Sequence, residues 1–180
     1  VSQARRNLIS RLDDRPAIEA LDAVYSQLSR EEQALFRRSP MLGVAMDDAV
    51  SAPGPGDFLV RNLMGIDRRA GVMAVAAVVE PGQRVQLHLR DPAASAGDLR
   101  YLLSRAARPD HAGALMFSCL GRGALFYGEP DHDSRVFAET CGPLPLGGFF
   151  CNGELGPVHA KTWLHGYTSA FGLFRPRGWS

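Results

Sequence analysis

The chain has 180 residues, of which 46% are hydrophobic, and its 20 basic and 19 acidic side chains leave a net charge of +1. That is enough apolar material for a core without disulfides. No charge block or basic tail stands out, which argues against nucleic acid and anionic membrane as partners. The longest apolar run, Val72 to Val79, is far too short to cross a bilayer as a helix.

The first residues carry no apolar leader segment, so the expected location is cytoplasmic. Val1 stands where an initiator Met is usual, which reads as a fragment or a truncated reading frame. Cys119, Cys141 and Cys151 cannot all pair with one another and form no CxxC motif. A reduced compartment is therefore expected, and a structural zinc site is not. Lys161 is the only lysine among 20 basic residues, a bias that points to a GC-rich genome rather than to a function.

In chain order, residues 4–12 read as a strand. Asp13 to Pro16 make a turn into a helix over 16–29, with Ile18, Leu21, Tyr25 and Leu28 on one face. A short helix follows at 31–38. The period then changes to two: Leu42, Val44 and Met46 alternate, as do Phe58, Val60, Asn62 and Met64, on either side of a Pro/Gly loop at 51–56. Gly71 to Val79 reads as a buried strand, and Val85, Leu87 and Leu89 as a strand with one wet face. Short turns between these strands predict an antiparallel meander.

Asp91 reads as the N-cap of a helix whose buried stripe is Leu99, Leu102, Leu103 and Ala106. Gly113 to Cys119 is a buried strand, about 131–141 a short helix, Leu146 to Cys151 a strand, and 160–174 one or two more. The fold class is α+β, mainly antiparallel sheet with helices packed against it.

Unusual chemistry gathers after residue 118. Gly121-Arg122-Gly123 follows a buried strand. Gly128 to Asp133 places Glu129, Asp131, His132 and Asp133 within six residues. Asn152-Gly153-Glu154 follows a second apolar strand, and His165-Gly166 precedes the last. Polar, glycine-bearing loops at strand ends are where pockets form, because glycine lets backbone approach a ligand.

Some of these residues also have structural roles to fill. Asp131 is placed to cap the helix it precedes, and Asp133 to favour its dipole. Arg122 is placed to pair with Glu129 or Glu154. Cys119 and Cys151 read as core thiols, and His165 as a hydrogen-bonded structural histidine. His88, on a polar strand face, and His111 and His159, in turns, receive no role. Taken together, the segment would offer carboxylates to an amine and Arg122 to a carboxylate, the complement of an amino-acid-like zwitterion. The candidate ligand-binding residues are Arg122, Glu129, His132, Asp133, Asn152, Glu154 and His165.

Catalytic signatures are missing: there is no GxSxG, HExxH or Walker loop. Gly121-Arg122-Gly123 lacks the remaining glycine of a dinucleotide fingerprint, and no βαβ unit is expected around it. No spacing makes His132, Asp133 and Glu154 a metal site, and a Cys119–His165 dyad has no further support.

These segments resemble the C-terminal domain of the FIST family (F-box and intracellular signal transduction proteins). The resemblance is carried by Phe117-Ser118-Cys119 with Gly121-Arg122-Gly123, by Gly128 to Asp133, by Gly147 to Pro157 and by Thr162 to Thr168. Asp57 to Asn62 and Gln86 to Asp91 also look familial, so the core of the resemblance runs from about residue 12 to 174. It implies one domain over 1–180 that senses a small ligand, amino acids being the class usually proposed, in intracellular signalling, mostly bacterial. It also implies an N-terminal companion domain, absent from this chain, as a partner, together with a downstream signalling protein.

Leu120 departs from the family pattern, where Asn is common, and removes one polar contact to a ligand. No catalysis and no cofactor are expected. The alternatives are a haem- or metal-based sensor using His132, His165 or Cys119, since some relatives look like gas sensors, and a protein-interaction module with a vestigial pocket.

Overall fold

A computed structural model describes residues 1–158 and 160–178; His159 lies outside the described residues. The chain folds as two compact units, residues 1–90 and 91–180. Both combine sheet and helix, and the class is α+β.

The first unit contains β1 (Gln3–Arg5), β2 (Leu8–Leu12), β3 (Arg15–Pro16), α1 (Ala17–Gln27), α2 (Arg30–Arg38), β4 (Pro40–Ala45), β5 (Phe58–Asp67), β6 (Val72–Val75) and β7 (Val85–Leu89). Its sheet runs β1-β2-β6-β5-β4-β7, antiparallel at every pairing, with β3 beside β2. Ile9, Leu42, Met73, Val75 and Val79 are fully or almost fully buried in one cluster with Ala17 and Leu21 of α1 and Phe36 of α2. The helix stripe read from the sequence thus meets the sheet as expected. Helix α2 begins with a capping box, Ser29 and Glu32 each satisfying the other's backbone amide.

Three details of this unit differ from the sequence reading. Residues 4–12 are two strands, because Arg6 takes the left-handed conformation (φ 57°) and turns the chain. The apolar run 71–79 is strand only over Val72–Val75; beyond it Val79 stays buried while its amide bonds to the Arg6 carbonyl, so burial outlasts the ladder. Strands β4, β5 and β6 form a meander, but β7 returns to the free edge of β4, pairing Pro40 with Leu89 and Val44 with Val85.

The second unit contains α3 (Pro92–Ala106), β8 (Gly113–Cys119), α4 (Ala124–Tyr127), α5 (His132–Cys141), β9 (Leu146–Cys151), β10 (Glu154–Val158), β11 (Lys161–His165) and β12 (Ser169–Phe174). Asp91 caps α3, its carboxylate accepting from the Ala93 and Ala94 amides. A three-stranded sheet runs β12-β8-β9. Leu99 and Leu103 of α3 and Val136 and Phe137 of α5 pack with Ala114 of β8, and Phe137 stacks on Phe171 of β12 at 5.7 Å.

The β8–β9 pairing is parallel, so α4 and α5 lie on a strand–helix–strand crossover. This corrects the expectation that no βαβ unit surrounds Gly121-Arg122-Gly123. Two elements were not anticipated: the single turn of α4, and β10, which takes Glu154 to Val158 out of the expected loop and into a hairpin with β11. The β9–β8 contact leaves no room at one position. A Cβ on Gly148 would stand 1.8 Å from the Met116 carbonyl oxygen, whereas one on Gly147 would meet only the Leu115 side chain at 3.5 Å.

Gly148→Ala is therefore expected to cost about 3 kcal/mol and Gly147→Ala less than about 0.5 kcal/mol. Urea denaturation of the two variants measures the difference.

Candidate functional site

Side chains on β8, α4, α5 and β12 converge at one end of the second unit. On β8, residues two apart share a face; Ala114 and Met116 therefore lead to Ser118, only 1% exposed, on the side where the helices pack. The parallel register places Phe150 of β9 beside it, and the antiparallel register places Ser169 of β12 opposite it. The chain then turns through Gly121 to Gly123 into α4, and through Gly128 to Asp131 into α5. Gly128 and Asp131 both sit in the left-handed region.

The centre is Asp133. Arg122 Nε donates to its Oδ2 at 2.7 Å and Arg122 Nη2 to its Oδ1 at 3.1 Å, a bidentate pair. The Oγ atoms of Ser118 and Ser169 lie 3.1 and 2.8 Å from Oδ2 and 2.8 Å from each other. His132 Nδ1 lies 2.9 Å from Oδ1. Four of the five Arg122 N–H groups are committed: its Nη1 donates to Ser95 Oγ at 2.9 Å and to the Tyr167 carbonyl at 3.2 Å. Tyr127 stacks on His132 at 3.6 Å, lies under the Arg122 guanidinium and approaches Ser95 Oγ with its hydroxyl at 3.0 Å.

Arg122, His132 and Asp133 are 7, 6 and 7% exposed, so this is a buried ion pair rather than a surface one. Burial by itself would raise the Asp133 carboxyl; the Arg122 hydrogen bonds and charge, with His132 and Ser169, outweigh it and hold the group well below the usual carboxylate range. For Arg122 burial pulls down, and the hydrogen bond and charge of Asp133 more than restore it.

The sequence-derived candidates divide. Arg122, His132 and Asp133 come together, and Arg122 pairs with Asp133 instead of Glu129 or Glu154. Glu129 lies at the surface against Arg135. Glu154 is buried in a neighbouring cluster, accepting from Thr168 Oγ1 at 2.7 Å and from Cys151 Sγ at 3.3 Å. Burial first, then Glu154, pushes the Cys151 thiol up. His165 Nε2 lies 3.1 Å from the Gly156 carbonyl oxygen, the structural role expected of it. Asn152 is exposed in the turn before β10.

Asp131 does not cap α5 with its side chain. Its left-handed backbone directs only its carbonyl to the helix, where it accepts from the Arg135 amide. Ser95, Ser118, Tyr127 and Ser169 were missed. A serine inside an otherwise apolar strand, as Ser118 is, was the available signal, because a buried hydroxyl needs a partner.

A pocket of about 260 Å³ opens beside this network, lined by Met116, Ala124, Pro130, Asp131, His132 and Phe150 with Ser118, Gly123, Asp133 and Ser134. No group of three or more His, Cys, Asp or Glu able to hold a metal ion occurs among the described residues. No helix among them is long and apolar enough to cross a membrane.

Removing one partner of a buried pair strands the other. Asp133→Asn is expected to lose about 3–5 kcal/mol at pH 7. Because the folded carboxyl binds its proton more weakly than the unfolded one, its contribution is complete above the ordinary Asp range and drains away as pH falls below about 4. Urea midpoints at pH 7 and pH 3 should therefore fall further in the parent chain than in Asp133→Asn.

The FIST C domain matches residues 17–157, a span that includes Arg122, His132, Asp133 and Glu154 and ends short of Ser169. An uncharacterised protein of Mycobacterium bovis is 40% identical over 170 residues, 93% of this chain and 44% of the relative. Another, of Mycobacterium tuberculosis, is 38% identical over 177 residues, 97% of this chain and 46% of the relative. An F-box/LRR-repeat protein of Arabidopsis thaliana is 31% identical over 114 residues, 53% of this chain and 22% of its own length. The chain spans about half the length of the mycobacterial relatives. With most of its residues inside the matched span, from α1 to β10, the chain belongs to the FIST C domain family.

Proposed function

We propose that the chain is a small-ligand sensing domain of intracellular signal transduction, acting without catalysis on an amino-acid-like molecule. The observation that carries this reading is the pocket beside the Arg122–Asp133 network: apolar walls, with a small number of fixed polar groups at one end, are what small-molecule sites are made of. Family membership supports the signalling role. The non-catalytic part is supported by the hydrogen bonds of Ser118. Its hydroxyl bonds to Asp133 and Ser169, and Asp133, the base within reach, is held by Arg122 well below the usual carboxylate range, which makes it a poor acceptor for the Ser118 proton. The reading uses no cofactor.

The roles within the pocket differ from those first assigned. Arg122 cannot clamp a ligand carboxylate while Asp133, Ser95 and the Tyr167 carbonyl occupy it. Arg122 and Asp133 are positioning residues; His132 and Asp133 both line the pocket, and of the two His132 keeps a polar atom, Nε2, outside the ion pair.

A second reading is favoured by apolar exposure in the same unit, where Leu125 is 96% exposed and Leu120, Phe149 and Leu155 are also open to solvent. That is a protein-interaction surface. The two readings separate with Ala124→Phe, which fills the pocket from an exposed position. It would abolish ligand binding and spare partner capture.

The test is a thermal-shift and calorimetric panel of the twenty amino acids and related small acids. A ligand at a hundredfold excess over its Kd should add about 2.7 kcal/mol of stability, or about 5–10 °C in Tm. Absence of binding across the panel, by this chain and by a chain of the relatives' full length, would count decisively against sensing.

A further inference from the structure

The pocket opens onto the start of α5. Helix geometry leaves the first-turn amides without intrahelical acceptors, and no side chain caps this helix. At ten residues α5 is long enough for its N-terminal end to favour an anion. The second observation is His132, the first residue of that helix and 6% exposed. Asp133 takes its Nδ1 and Tyr127 covers one ring face, while Nε2 has no partner among the described residues and the side chain lines the pocket. Asp133 does not present a bare negative charge here, because Arg122 neutralises it. Beyond Ser118, Gly123 and Ser134, the remaining walls, Met116, Ala124, Pro130 and Phe150, are apolar. An anionic head on a short apolar body is the complement of this arrangement.

We propose that the pocket takes a small organic carboxylate, its head on the first-turn amides of α5 and on His132 Nε2, its apolar body between Met116 and Phe150. The proposal rests on the small-ligand reading above and narrows it. Nε2 meets the carboxylate as an N–H donor. The groups facing the ring are Asp133 at Nδ1, Arg122 behind Asp133, Tyr127 stacked on its face, and Asp131 on the pocket wall. Asp131 is an exposed anion that opposes the ligand, and removing its charge should tighten binding.

The experiment is ¹H–¹⁵N NMR titration of the 180-residue chain with isovalerate, benzoate, the uncharged isovaleramide, and leucine. Isovalerate or benzoate should shift the amides of His132, Asp133 and Ser134 and bind at least tenfold more tightly than isovaleramide. His132→Gln should weaken binding of isovalerate at least tenfold while leaving that of isovaleramide nearly unchanged. Asp131→Asn should strengthen binding severalfold. Ala124→Phe should remove it while leaving the rest of the spectrum in place, which keeps the test open if His132→Gln fails to fold. Equal binding of the acid and the amide, or no carboxylate shift at residues 132–134, overturns the proposal. If leucine or another compound then binds elsewhere, the sensing reading survives without this site; if nothing binds anywhere, both fall.

Discussion

Asp133 is a carboxylate taken out of water, and the second unit is arranged so that this is tolerable. An unpaired charge at such depth would cost several kcal/mol. It is met by two nitrogens of Arg122, the hydroxyls of Ser118 and Ser169, and Nδ1 of His132. These partners come from β8, from the turn before α4, from β12 and from α5 itself, with Ser95 of α3 joined through Arg122. One buried anion thus ties two strands of the three-stranded sheet, β8 and β12, to α3, α5 and the turn before α4.

The same arrangement decides which groups remain for chemistry. A guanidinium with four of its five N–H groups engaged has no fork left to clamp a ligand carboxylate, and the ion pair is locally neutral. What the network leaves open is a ring edge of His132 and the uncapped start of α5. Positions that looked like direct ligand contacts in the sequence are the supports that orient the contact.

Much of the fold was legible where local pattern is strong. The stripe of α1, the cap of α3 and the apolar β8 follow from it. The alternation expected in β4 and β5 identifies the strands but not their burial: β4 is buried continuously from Met41 to Ala45, and in β5 Leu63 is buried while Met64 is 68% exposed. What could not be read were choices set by pairing over long separations: β7 joining β4, β9 running parallel to β8, and β10 entering a hairpin. The site divided in the same way. Arg122, His132 and Asp133 stood out because charge and histidine cluster in a glycine-bearing loop. The pairing of Ser118 with Ser169, 51 residues away, could not be read, because only the β8–β12 register makes them neighbours. Asp131 misled because a helix-preceding Asp is a good cap only with an extended backbone, and here it is left-handed.

That register has a consequence for how the unit assembles. Ser169 stands opposite Ser118 in the β8–β12 ladder. Slipping β12 by one residue so that Ala170 takes that position would turn the Ser169 hydroxyl to the other face of the sheet. An apolar ladder tolerates such an error, since one greasy side chain replaces another at small cost. Here the misaligned sheet would leave a desolvated carboxylate short of a donor. The anion therefore acts as a proofreading mark for strand alignment, penalising the slip that replaces a hydroxyl with a methyl group beside it.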